Sequence, residues 1–243
     1  MKISVVVPFY NTPLPFFLEC LRALKQLDPY EVILVDDCST DINVVRLARS
    51  SGFRYLKTPY QSGHDGMPFN LGVRAAKGEY ICRVDSDDVL RALPETMETE
   101  ICFGNADRVN MSGPITVETL ILGPRAIFNA TVLERKLCLR YPVAEDANVY
   151  GDVLMALRLL YNGHSHTVFP KVNYIYRKRE GSIQASHSEF HHRLRLVQTV
   201  ARFCQLENVP PMEAVRFLEL AMLNVRHGSN SLELFRLKKN TLS

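Results

Sequence analysis

Over the first ninety residues, short β-branched runs alternate with helical patterns, and this alternation limits the fold more than any other feature of the chain. ISVVV (3–7) is followed by Pro8 and the apolar-periodic PLPFFLECLRALKQL. EVILVDD (31–37) leads into Ser39, Thr40 and Asp41, candidate N-caps for a helix running to about Ser51. FRYLK (53–57) precedes MPFNLGVRAAKG, a helix that stops at Gly78, and EYICRV (79–84) supplies a fourth strand. Strands joined through helices pair in parallel, so the pattern predicts an α/β protein with a Rossmann-like, mostly parallel sheet flanked by helices. A chain of 243 residues with 47% hydrophobic and 23% charged residues is large enough to bury the core such a sheet needs.

Beyond Val89 the alternation fades. Gly-Pro pairs at 113 and 123 break the chain among strand-like runs, ETLIL and RAIF. VYGDVLMALRLLYNG (149–163) predicts a helix closed by Asn162 and Gly163, and TVF and VNYIYR read as short strands. From about Ser188 the pattern is helical, with stripes at Phe190, Leu194, Val197, Ala201 and Cys204 and again at Val215, Leu218, Met222 and Val225. The expected organisation is therefore an α/β domain over 1–183, in halves 1–90 and 91–183, and a helical C-terminal extension over 184–243. The helical stripes favour core packing or a homodimer contact over a peripheral membrane-lying face.

No run approaches the roughly 18 apolar residues of a membrane-spanning helix, and the N-terminal apolar run, ended by Pro8, is too short for a signal peptide. The six cysteines show neither CxxC nor zinc spacing, so they read as reduced, packed thiols, and a cytoplasmic location is expected. A net charge of +3 gives no argument for a nucleic-acid partner. The basic clusters RKR (177–179) and HHRLR (191–195) read as solvated faces before anion or membrane sites.

Two of the predicted strands end in acid: Asp36-Asp37, and the DSDD of 85–88. Ligands of open parallel sheets bind outside the carboxyl ends of the strands, so both tips fall on the functional rim. Three carboxylates within four positions repel one another unless a cation or hydrogen-bond donors neutralise them. Asp85 and Asp87, two apart in a turn, suit a hard cation such as magnesium or manganese. DSDDV also satisfies the D-x-D-x-V pattern of haloacid-dehalogenase-like phosphohydrolases, with Asp85 as nucleophile. That family wants its motif on the first strand and a downstream GDxxxD, whereas here Ala156 stands where the second aspartate should be.

Four stretches in register, SVVVPFYN (4–11), EVILVDDCSTD (31–41), NLGVRAAKGEYICRVDSDD (70–88) and GDVLMALRLL (151–160) followed by VNYIYRKREGSI, carry a resemblance to the family-2 glycosyltransferases of the GT-A fold. The resemblance covers roughly residues 3–183 and implies a bacterial-type enzyme of cell-surface polysaccharide or lipopolysaccharide synthesis. It implies an inverting, metal-dependent transfer of a sugar from a nucleoside-diphosphate sugar, a UDP-sugar first, to a hydroxyl of a glycan or lipid-linked acceptor. In it, 1–90 becomes the nucleotide-sugar half and 91–183 the acceptor side. Pro8, Phe9 and Tyr10 line the nucleotide pocket, Asp36 and Asp37 stand at the base, with Asp37 accepting from its ring N–H, Asn70 belongs to the donor site and Ser86 lies near the ribose. Asp87 ligates manganese or magnesium, Asp85 supports it, and Asp152 is the catalytic base.

The chain also departs from the family pattern. Gly151-Asp152 replaces the usual Glu-Asp, leaving Glu145 and Asp146 as neighbouring carboxylates. Phe69 stands where an arginine usually helps hold the donor, with Lys57, Arg74 or Arg83 as candidate replacements. Arg179 and Glu180 fall at the position of a metal-binding histidine, with His187 farther on as the candidate ligand, and Arg177, Lys178 and Arg179 as candidate diphosphate holders. A catalytically inactive nucleotide-sugar-binding subunit is the remaining alternative.

Overall fold

The computed structural model describes residues 1–107, 113–123, 128–146, 148–177 and 189–227. In chain order the elements are β1 (Ile3–Phe9), α1 (Leu14–Leu27), β2 (Glu31–Asp36), α2 (Ile42–Ser50), β3 (Arg54–Lys57), α3 (Gly66–Ala75), β4 (Tyr80–Arg83), β5 (Val89–Leu90), β6 (Ile101–Phe103), α4 (Val117–Leu122), β7 (Val132–Glu134), α5 (Arg135–Arg140), α6 (Gly151–Tyr161), β8 (His166–Val168), β9 (Tyr174–Ile175), α7 (Glu189–Leu206) and α8 (Pro211–His227). They form two compact units, both discontinuous in sequence: 1–111 with 126–147 and 164–177, and 112–125 with 148–163 and 178–243. The helices α4 and α6 thus belong with the C-terminal helices, where the sequence pattern draws a single boundary after residue 183.

The first unit holds a seven-stranded sheet in the order β3-β2-β1-β4-β7-β6-β8. β1 runs parallel to β2 and β4, β2 to β3, and β6 to β8, while β7 is antiparallel to β4 and β6. A separate two-stranded ribbon pairs β5 with β9. Every residue of β1 is buried, which is why its sequence is a continuous apolar run and not an alternating one. Val5, Val7 and Phe9 share a core cluster with Phe17, Cys20, Leu21 and Leu24 of α1 and Val44 and Ala48 of α2. Val6 meets α3 at Gly72, where a Cβ would fall 2.4 Å from a Val6 methyl carbon. Asp41 is the cap that starts α2, accepting the Asn43 N–H at 2.9 Å.

In the second unit, Tyr161 of α6, Phe203 of α7 and Phe217 of α8 form an aromatic cluster with ring centroids 5.4–6.4 Å apart. The ETLIL run, expected as a strand, is instead the helix α4. Thr116 and Thr119 close a capping box at its start, and the Asn224 amide donates to the Ile121 and Leu122 carbonyls at its end. The expected apolar stripes are also displaced in part. On α7, Leu196, Val200 and Phe203 are buried together with Cys204 of the expected stripe, and on α8 Phe217, Leu220 and Ala221 are buried, while Leu194, Val215 and Met222 are exposed. Each helix carries two overlapping apolar registers, and packing of the bulky phenylalanines selects between them. Among the described residues no helix is long and apolar enough to cross a membrane, and all six cysteines are free.

Gly104, just after β6, packs against the 128–131 turn: a Cβ there would lie 2.2 Å from the Asn129 carbonyl oxygen. That obstruction is backbone and cannot rotate aside. Gly104→Ala should therefore cost about 1–3 kcal/mol, the usual toll of overpacking, and lower the thermal midpoint by several degrees.

Candidate active site

Because β1 lies between β2 and β4, the chain leaves it on one side towards β2 and β3 and returns on the other as β4. At this switch point the carboxyl ends of three parallel strands lie side by side, and their loops are cross-tied. The Asn11 side chain, whose residue has φ 44°, accepts from the Thr40 and Asp41 N–H groups at 2.8 and 2.9 Å. Thr12 and Ser86 share a hydroxyl–hydroxyl hydrogen bond of 2.6 Å, which joins the loop after β1 to the acidic turn after β4.

At the end of β1, Pro8 is buried in the strand and the Phe9 ring packs in the core, 4.9 Å from Phe17. Phe9 meets the rim through its backbone, the carbonyl accepting the Asp37 N–H at 2.9 Å, while Tyr10 is exposed. Asp36 is buried beneath the loop after β2 and accepts from the Ser39 N–H and the Tyr55 hydroxyl, both at 2.7 Å. Asp37 is saturated by protein donors: Thr58 and Ser62 hydroxyls and the Ser62 and Gly63 N–H groups, at 2.9–3.3 Å. A carboxylate has about four acceptor positions, so this residue holds the 58–63 segment against the strand end. Asn70 is likewise buried, exchanging two hydrogen bonds with the Val143 backbone and donating to Glu145 at 2.9 Å.

The acidic turn handles its three carboxylates in different ways. Asp85 receives Arg83 Nε and Nη2 on one oxygen, at 3.2 and 3.0 Å, and the Asn129 amide on the other at 2.7 Å. Asp87 is half-buried. Asp88, absent from the sequence-derived candidates, is almost wholly buried and accepts from the Tyr174 hydroxyl at 2.8 Å and the Arg177 N–H at 2.7 Å. Tyr174 in turn accepts the Asp85 N–H at 3.1 Å, so one hydroxyl joins both ends of the turn. Burial first, and then the charges of Asp85 and Asp87, push the Asp88 carboxyl up to about 7 against hydrogen bonds that act to lower it. Nothing in the DSDD spacing distinguishes the buried aspartate from the others. Its signal lies in a tyrosine and an arginine almost ninety residues away.

Arg177, a candidate diphosphate holder, is committed elsewhere. Its guanidinium reaches the Asp87 carbonyl at 2.5 Å, the Phe16 carbonyl at 2.9 Å and the Glu19 carboxylate, and lies over the Phe16 ring. Lys178, Arg179, Glu180 and the candidate metal ligand His187 lie outside the described residues. Asp152 is in the second unit, in the first turn of α6, where a carboxylate oxygen accepts the Val153 N–H at 2.8 Å. Glu145 and Asp146 are exposed in the first unit.

An open, mostly parallel sheet with an acidic turn at its switch point defines the class, and the solved structures it matches have the GT-A fold. The crystal structure of Staphylococcus aureus TarS 1–349 in complex with UDP-GlcNAc aligns with a TM-score of 0.71 at 22% identity, covering 95% of this chain and 74% of that one. The mannosyltransferase PcManGT from Pyrobaculum calidifontis, in complex with GDP-Man and Mn2+, aligns with a TM-score of 0.61 at 17% identity, covering 99% and 80%. Residues 4–99 match the family model described as Glycosyl transferase family 2. The poly(ribitol-phosphate) beta-N-acetylglucosaminyltransferase TarS of S. aureus strain Mu50 is 28% identical over 234 residues, covering 81% of this chain and 40% of its own length. A poly(ribitol-phosphate) beta-glucosyltransferase of Bacillus spizizenii is 32% identical over 165 residues, covering 55% and 26%. The chain therefore spans well under half the length of both relatives.

The raised Asp88 carboxyl fixes the sign of a pH effect. The folded state holds this proton more tightly than the unfolded chain does, so the group's contribution is fully present below about pH 4 and is lost as pH rises to about 7. With EDTA present, Asp88→Asn should flatten the fall in thermal midpoint between pH 5 and pH 8 relative to wild type. Tyr174→Phe, which strips a donor from Asp88 and an acceptor from the Asp85 amide, should cost about 1–3 kcal/mol by denaturant titration.

Proposed function

We propose that the chain is an inverting, metal-dependent glycosyltransferase that moves a sugar from a nucleoside-diphosphate sugar, a UDP-sugar first, to a hydroxyl of a glycan or lipid-linked acceptor. The observation that carries this reading is the acidic turn at the carboxyl ends of β1, β2 and β4, where donors from Arg83, Asn129, Tyr174 and Arg177 serve Asp85 and Asp88, while burial first, and then the charges of Asp85 and Asp87, keep the Asp88 carboxyl raised. The family match over 4–99 and the UDP-GlcNAc and GDP-Man carried by proteins of the same fold support a nucleotide-sugar donor. The names of the staphylococcal and Bacillus relatives make poly(ribitol-phosphate) the first acceptor to try.

The donor set fits a hard divalent cation. Its ligands are carboxylate oxygens, with Asp87 as the direct holder and Asp85 as support through its less occupied oxygen. Among the described residues no group of three His, Cys, Asp or Glu side chains forms a closed cage, and a site of one or two carboxylates takes its remaining ligands from water and phosphate. When bound, the ion would supply positive charge against the diphosphate that leaves with the nucleoside.

The other parts fall to the chain's own groups. Tyr10 offers an exposed ring face for the base, and Ser86, held by Thr12, stands beside the ribose. Asp37 fixes the 58–63 segment that borders the base. Asp152 takes the acceptor's hydroxyl proton as that oxygen bonds to the anomeric carbon and the bond from that carbon to the diphosphate oxygen breaks, which inverts the configuration. The C-terminal helices, with Met212, Val215 and Met222 exposed, serve a second copy or a membrane surface on the cytoplasmic side.

The trial is nucleotide release from UDP-, GDP- and dTDP-sugars with poly(ribitol-phosphate) and lipid-linked acceptors, with and without manganese. Release should need the metal and fall to background in Asp87→Ala. Asp152→Asn should lose about 10²–10⁴-fold in kcat while its UDP affinity stays within twofold of wild type. Release that persists in EDTA and in Asp87→Ala removes the metal role, and full turnover by Asp152→Asn removes that residue as base.

A further inference from the structure

Position 69, where the resemblance expects an arginine, holds a fully buried phenylalanine on α3. The guanidinium of Arg83, the last residue of β4, lies over that ring at 5.8 Å from its centroid. Arg83 is itself buried, and its Nη2 reaches Asp65 at the start of α3 at 2.5 Å and Asp85 in the acidic turn at 3.0 Å, with Nε adding a second contact to Asp85 at 3.2 Å. The other two candidate cations do not share this place. Lys57 ends β3 in register with Asp36, and the sheet order puts β2 and β1 between it and β4. Arg74 is exposed in the last turn of α3.

We propose that Arg83 on β4, seated on Phe69, is the positioning residue that sets Asp85 and the charge of the donor's diphosphate site. Two physical consequences follow from the geometry. First, the planar fork approaches one Asp85 oxygen with two N–H groups while Asn129 holds the other oxygen, which locks the carboxylate in one orientation. Second, a fixed positive charge inside the rim offsets Asp85 and Asp65. Being buried, Arg83 acts through Asp85 and does not touch the donor.

This inference rests on the nucleotide-sugar reading of the site, and the test separates the two. UDP binding to the full chain is measured by calorimetry with and without manganese, for wild type, Arg83→Met, Arg83→Lys and the exchange variant Phe69→Arg/Arg83→Phe. Arg83→Met should weaken UDP binding at least tenfold with manganese and less than threefold without it, because the loss passes through Asp85 and not through the nucleoside pocket. Arg83→Lys keeps the charge but not the fork and should fall between wild type and Arg83→Met. The exchange variant should return to within about threefold of wild type, and since it restores a ring–cation pair it remains informative if Arg83→Met does not fold. Wild-type affinity in a folded Arg83→Met, equal losses with and without manganese, or an exchange variant that binds UDP with manganese more than about tenfold more weakly than wild type would overturn the proposal. A wild-type chain that binds no UDP under either condition overturns the nucleotide-sugar reading and this inference with it.

Discussion

The site depends on one buried carboxylate. Asp88 draws the 174–177 segment back beside the turn that follows β4, accepting the Tyr174 hydroxyl and the Arg177 N–H. Its partners do further work: Tyr174 accepts the Asp85 amide, and the Arg177 guanidinium reaches the Asp87 carbonyl and the Phe16 and Glu19 groups of α1. A turn at the tip of a strand would ordinarily be held at one end only. Here donors from β9 and the chain beyond it hold it from behind, and the Thr12–Ser86 hydroxyl pair holds it from the side. Rigidity of this sort is what a ligand-binding turn requires, since geometry fixed in advance costs nothing when the ligand arrives.

This rigidity is bought by burying an acid beside two others, and the raised Asp88 carboxyl is the electrostatic record of that choice. The 1% exposure of Asp88 removes water as a compensating donor, so the hydrogen bonds from Tyr174 and Arg177 must carry the load. They lower the carboxyl without restoring its ordinary value. Any positive charge brought to the turn would favour the ionised form of Asp88 and tighten the same two hydrogen bonds. Charge at the turn and local order are therefore linked at this residue.

The sheet and its rim were legible in the sequence because both depend on local patterns. A buried parallel strand needs an uninterrupted apolar run, and ISVVV and EVILVDD have one; a helix start needs a capping oxygen, and Asp41 supplies it. What stayed hidden depends on distant partners. Phe9 looks like a rim residue until Phe17 claims its ring, and Arg177 looks like a free basic cluster until Phe16, Glu19 and the Asp87 carbonyl occupy it. ETLIL, apolar and partly β-branched, reads as a strand, but the Thr116–Thr119 capping box and the Asn224 amide satisfy its ends as a helix. The stripes of α7 and α8 are met only in part for a related reason: Cys204 is buried but Leu194, Val215 and Met222 are exposed, because spacing identifies an amphipathic helix, yet only the partner surface chooses among neighbouring registers.

Asp85 and Asp88, equivalent by sequence, end in different electrostatic states. Asp85 is balanced by a guanidinium and an amide, and Asp88 by two neutral donors together with a raised affinity for its proton. If all three were balanced in the manner of Asp85, the turn would present no net attraction to a divalent ion; if all were left like an unpaired carboxylate, mutual repulsion would open it. The arrangement lies between these limits. Asp85 and Asp88 are held well enough to keep the turn closed. Under the proposed reading, a closed turn that keeps part of its negative charge would attract a hard cation while making few direct bonds to it, leaving coordination positions for the oxygens of a diphosphate.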